Sequence, residues 1–141
     1  MINYQKILNK NMLNVLKDIL CNIKKNGLSN NNHLYITFLT NHAKTEVPDW
    51  IKENHPKDMT IVIQYEYYDL KINKNNFLIT LSFNDIHSTL KIHYDSIISF
   101  ADPSANFGLR LEERKINKST KDEKIINNKD NIIDFLNYKK N

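Results

Sequence analysis

The chain opens on an apolar rhythm of three- and four-residue steps. Tyr4, Ile7, Leu8, Met12, Val15, Leu16, Ile19, Leu20 and Ile23 fall on one face of a helix, with Lys10, Asn14, Lys17, Lys24 and Lys25 mostly on the other. Gly27 supplies the stop, and the basic residues just before it suit the negative end of the helix dipole. A helix this apolar must cover something. Two partners fit: the domain's own sheet, or a second copy of the helix in a dimer.

After the polar run Ser29-Asn30-Asn31-Asn32 the period changes to two. Leu34, Ile36 and Phe38 share one face of a strand within His33 to Thr40. A polar connection with Pro48, Trp50 and Pro56 follows; it predicts a short helical turn at Asp49 to Asn54, anchored on the core by Trp50 and Ile51. Met59 to Leu70 is one long β-branched and aromatic run. Asn73 to Asn76 turns the chain into a hairpin partner at Phe77 to Phe83, and Asn84-Asp85 turns it again into Ser88 to Tyr94. A short strand at Ile97 to Phe100 ends at Asp102-Pro103.

Beyond Leu111 the periodicity collapses. Glu112 to Lys129 is charged and polar, and such a composition cannot bury enough surface to offset its ordering entropy. An apolar cluster returns at the far end, with Ile132, Ile133, Phe135, Leu136 and Tyr138 followed by Lys139 and Lys140, the layout of a short motif on a tether. The expected architecture is α+β and mainly β: an N-terminal helix, a curved antiparallel half-barrel of about five strands, and a disordered C-terminal tail. Its expected divisions are a domain at 1–111, a linker at 112–130 and a terminal motif at 131–141.

Composition narrows the function classes. With 141 residues, 40 % hydrophobic and 26 % charged, the chain is sized for one globular domain plus a tail. No stretch reaches the roughly 20 consecutive apolar residues of a membrane span, and the start does not read as a secretory signal. The single cysteine, Cys21, excludes an internal disulfide and a cysteine-based zinc site, and fits a reduced, cytoplasmic setting. A net charge of +4 invites a nucleic-acid reading, but the cations are nearly all lysine; Arg110 and Arg114 are the only guanidinium groups. The abundance of Lys, Asn and Ile also matches a bias toward A/T-rich codons, which would raise lysine without selecting a basic surface.

No catalytic constellation stands out. His33, His42, His55, His87 and His93 show no metal-ligand spacing, and with only Gly27 and Gly108 there is no phosphate-cradling or dinucleotide loop. Nothing beside Cys21 resembles an activated nucleophile, and the Asn117-Lys118-Ser119 sequon has no meaning without secretion. No cofactor is implied. What remains is binding chemistry. Gln64 to Leu70 carries three tyrosines on a strand, open to two readings: core and cross-strand packing, or one wall of a groove for an extended peptide.

Several blocks, taken in order, resemble the SspB (stringent starvation protein B) family. They are His33-Leu34-Tyr35-Ile36-Thr37-Phe38, Met59 to Gln64, Tyr68-Asp69-Leu70, Leu81-Ser82-Phe83, Phe100 to Ser104 and Phe107-Gly108-Leu109. The resemblance covers roughly residues 4 to 111, and the tail shares the family's layout more than its letters. It implies a non-enzymatic adaptor with an Sm-like curved β-fold and an N-terminal helix, usually a homodimer. Its groove would bind the ssrA tag, and its C-terminal motif would dock on the N-terminal domain of ClpX for degradation by ClpXP. By alignment of blocks, the implied peptide-binding residues are Ile63, Tyr67, Thr80, Ser82, Phe83 and Phe100. The implied docking residues are Ile132, Ile133, Phe135, Leu136, Tyr138 and Lys139. Thr80 and Ser82 share a strand face, whereas Phe83 points the other way unless the turn re-aims it. A flexible linker of about 20 residues would span roughly 25 Å on average and about 70 Å at full stretch. The alternative is an Sm-like RNA-binding module, whose affinity would fall steeply with salt.

Overall fold

A computed structural model describes residues 1–29 and 31–111. The linker 112–130 and the terminal motif 131–141 lie outside the described residues. Helix α1 runs Tyr4–Asn26. Its start is fixed by Asn3, whose side chain accepts a hydrogen bond from the Lys6 amide at 3.0 Å. Its end is fixed by Gly27, at φ 78°, whose amide donates to the Ile23 carbonyl at 2.7 Å. The apolar face predicted for this helix is divided in two. Of its residues Met12, Leu16, Leu20 and Ile23 are buried, whereas Tyr4, Ile7, Leu8 and Val15 are exposed; Leu13, outside that face as predicted, is buried beside them. Among the described residues no helix is long and apolar enough to cross a membrane.

Among the described residues seven strands follow: β1 (Leu34–Leu39), β2 (Asp58–Ile63), β3 (Tyr68–Ile72), β4 (Asn76–Phe83), β5 (Ile86–His93), β6 (Ile97–Asp102) and β7 (Phe107–Arg110), with a short helix α2 (Asp49–Asn54) between β1 and β2. They form two antiparallel sheets, one ordered β2-β1-β6-β7 and the other β3-β4-β5. The five-stranded half-barrel is therefore corrected to two sheets of four and three strands. Two local features make the difference. The run Met59 to Leu70 is not one strand: after Ile63 the chain leaves the first sheet, and it joins the second at Tyr68. A seventh strand lies beyond Asp102-Pro103, where Pro103–Ala105 make one 3-10 turn and Asn106, at φ 53°, redirects the chain back along β6.

One core serves both sheets. Phe38, Phe77, Phe100, Ile36, Ile61, Ile63, Ile79 and Leu90 are fully buried, with Leu16 and Leu20 of α1 closing over them. Burying a side chain of this size is worth about 1.5–3 kcal/mol. Ile51 of α2 is buried in the same cluster, and Trp50 packs against its rim, as their spacing in the connection predicted. The β4–β5 hairpin turns on Asn84 and Asp85, at φ 51° and 67°, a two-residue loop with both residues left-handed.

Candidate functional site

Where the two sheets part, two strand edges have no neighbour among the described strands. Strand β2 ends its sheet and pairs only with β1. The Thr37 and Thr60 hydroxyls meet at 2.7 Å across that pair, the close approach of a pair that exchanges no ladder hydrogen bonds. The alternation then assigns the ladder bonds to Ile36↔Ile61 and Leu34↔Ile63. The backbone N–H and C=O of Thr60 and Val62 consequently point away from β1, to the open side.

The same logic fixes β4. Because Asn84-Asp85 is a two-residue turn, Phe83↔Ile86 is a hydrogen-bonded pair and Ser82↔His87 is not. The hydroxyl pair Thr80–Thr89, at 2.7 Å, keeps that parity. Ser82 therefore presents its N–H and C=O on the side of β3, but β3 begins only at Tyr68↔Thr80. No described strand lies beside Ser82.

These edges border a cleft of about 250 Å³, lined by Thr60, Val62, Gln64, Tyr65, Ser82 and Phe83 among others. Tyr65 stands 71 % exposed at its mouth. Phe83 is half-buried, its ring edge-on to Trp50 with centroids 6.0 Å apart. Glu66 is the one charged side chain in the lining. The site offers unpaired backbone groups and aromatic surface, and little charge.

Of the residues expected to bind peptide, the structure brings Ser82 and Phe83 together here. The other four lie elsewhere. Ile63 and Phe100 are fully buried in the core. The buried Thr80 shares its hydroxyl with Thr89, and Tyr67, half-buried, donates its hydroxyl to the Ile23 carbonyl of α1 at 3.2 Å. Thr60, Val62, Gln64 and Tyr65 were not among the expected residues. The alternation gave no signal for them, since Gln64-Tyr65-Glu66-Tyr67 continues the polar and apolar period; only the fold leaves Gln64, Tyr65 and Glu66 exposed in a row. The expected docking residues Ile132 to Lys139 lie outside the described residues.

Acid–base chemistry is sparse. No group of three or more His, Cys, Asp or Glu side chains that could hold a metal ion occurs among the described residues. Burial lowers the His93 pKa below its usual value, partly opposed by the Asp95 carboxylate, and burial pushes the Tyr94 phenol up to about 12. Neither residue lines the cleft. Cys21 is exposed and unpaired as a thiol.

Fold and site together define a class: a helix-capped, two-sheet antiparallel domain with a cleft set between open strand edges. The chain belongs to the SspB family, stringent starvation protein B, whose model matches residues 6–134. That match runs beyond the described domain into the C-terminal segment. No curated protein matches the chain.

Proposed function

We propose that this chain is a non-enzymatic, cytoplasmic adaptor that binds ssrA-tagged polypeptides in the cleft and delivers them to the ClpX unfoldase for degradation by ClpXP. The observation that carries the reading is the pair of open edges. An extended peptide laid between β2 and β4 would satisfy the backbone groups of Thr60 and Val62 on one side and Ser82 on the other. Its alternate side chains would meet Tyr65 and Phe83. Membership of a family of adaptors rather than enzymes supports the same assignment.

Delivery needs a second contact. The terminal residues Ile132, Ile133, Phe135, Leu136, Tyr138 and Lys139 are assigned to docking on the N-terminal domain of ClpX, with 112–130 as the tether. Tethering replaces a bimolecular encounter by an effective concentration on the order of millimolar. The exposed stripe Tyr4, Leu8 and Val15 on α1 supports a homodimer, which would carry two clefts and two tails. The reading needs no cofactor.

The test is a fluorescence-anisotropy titration of the full chain with a labelled ssrA-tag peptide and a scrambled control. Saturable binding of the tag alone is expected. Equal binding of both peptides, or of neither, overturns the assignment. Deleting 132–141 is expected to leave tag binding intact and abolish the stimulation of ClpXP degradation; undiminished delivery would refute the tether.

A further inference from the structure

A second concave site lies away from the cleft. The turn before β4, the N-terminal half of α1 and the segment after β5 enclose about 560 Å³, lined by Lys6, Lys10, Lys17, Lys74, His93 and Asp95 among others. It shares no residue with the cleft. The two sites flank opposite ends of β4, about 23 Å apart at the rise of a strand.

Four lysines line this hollow with one carboxylate, that of Asp95. Among the described residues the ion pairs within 4.0 Å are Lys91–Glu46 and His93–Asp95, and neither involves these four lysines. Lys6 and Lys10 stand one turn apart on α1, a like-charge pair that weakens a helix unless an anion lies between them. Lys17 follows on the same side, its Nζ held 4.6 Å from the centre of the Tyr94 ring, which fixes its position at the pocket wall. The first turn of α1 contains no acidic residue, so the positive end of a 23-residue helix is not neutralised by its own sequence. Lys74 completes the ring from a different element, the β3–β4 turn. Codon bias would scatter lysines over the surface. It does not explain four of them around one hollow with asparagine amides between.

From this geometry we infer that the pocket binds a linear polyphosphate group, such as the di- or triphosphate chain of a nucleotide or inorganic tripolyphosphate. Lysine ammoniums serve phosphate as point charges and need no bidentate geometry, which suits a site without arginine. The volume exceeds that of one phosphate and lies in the range of small-molecule sites. Asn3, Asn14 and Asn75 share the lining.

The experiment is calorimetric titration of the full chain with sodium tripolyphosphate, with ATP, and with a single-stranded oligouridine RNA. Saturable binding of tripolyphosphate at one site per chain is expected. The Lys10→Gln, Lys74→Gln double variant removes two exposed charges and should weaken it by about tenfold or more. A control pair on other surfaces, Lys25→Gln with Lys52→Gln, should change it by less than about twofold. ATP binding as tightly as tripolyphosphate assigns recognition to the phosphate chain; tighter ATP binding adds the nucleoside. Absence of saturable binding, equal loss in the control pair, or RNA binding that tripolyphosphate does not displace would overturn the inference. Tag affinity should be unaffected by Lys10→Gln, Lys74→Gln, so this result and that of the adaptor assignment are separable.

Discussion

Replacing Ser82 by proline isolates the backbone contribution to peptide binding. The Ser82 amide does not serve the β4–β5 ladder, because Phe83↔Ile86 and Leu81↔Ser88 carry those bonds. Proline at this position therefore removes one donor from the cleft and none from the hairpin. Leu81 is already extended, as a residue before proline requires. The remaining cost to the fold is the shift of φ toward −65°, about 1 kcal/mol, or a fall of about 4 °C in Tm for a domain of this size. Loss of one backbone hydrogen bond to the tag costs about 1 kcal/mol net, roughly fivefold in Kd, and a ring facing the incoming strand adds to it. Ser82→Ala keeps the amide and should bind within about twofold of the parent. Anisotropy titration of both variants, each checked by thermal melting, measures the split. Parent-like affinity in Ser82→Pro, or equal losses in the two variants, would refute strand addition at this edge.

Other expectations follow from burial and titration. Phe100→Ala empties a fully buried site and should cost about 3–5 kcal/mol in urea denaturation, whereas Ile63→Val should cost about 0.5–1.5 kcal/mol and leave the tag affinity of the folded protein within about twofold. Leu8→Glu with Val15→Glu places charges on the exposed stripe of α1; if the proposed dimer uses this stripe, light scattering should report a smaller mass for the variant than for the parent, with little change in Tm, and an unchanged mass would remove the stripe from the interface. Tyr94 is held protonated by burial, so its folded pKa of about 12 exceeds the unfolded value near 10. Its contribution is fully present below about pH 10 and is lost as pH rises through about 12. A late step in the tyrosinate absorbance titration, absent from Tyr94→Phe, checks this; no such step would contradict the burial argument.

The elements legible in the sequence are those whose ends are written in local chemistry. Gly27 stops α1, Asn84-Asp85 sets a hairpin, and Pro48 precedes the short helix at Asp49. The break inside Met59 to Leu70 is different, because its residues carry strand propensity throughout. What divides them is tertiary: Tyr67 is drawn to the Ile23 carbonyl at the end of α1. Asp69, at φ 53°, then accompanies a register shift between Tyr68 and Lys71. Strand β7 hides for another reason, since four residues that include Gly108 give no period to read. The exposed half of the α1 stripe was legible as apolar, and only packing decides that Met12 turns inward while Val15 does not.

The candidate cleft demanded a different kind of reading. Face parity asks which side chains share a side of a strand, and it selects residues such as Ile63 or Thr80. An edge site is defined by backbone groups that lack a neighbour, which depends on strand order and on where each strand starts. Those facts come from the fold, and here they come from the same segment that broke the period. By leaving one sheet at Ile63 and entering the other at Tyr68, the chain keeps β3 from covering Ser82 and keeps β2 at an edge. Long flat edges invite pairing between molecules. At the cleft the open groups are those of Thr60 and Val62 on one side and Ser82 on the other, beside Gln64 and the charged Glu66. Such short edges give another sheet few groups to pair with, whereas an extended tag entering between them can pair on both of its sides.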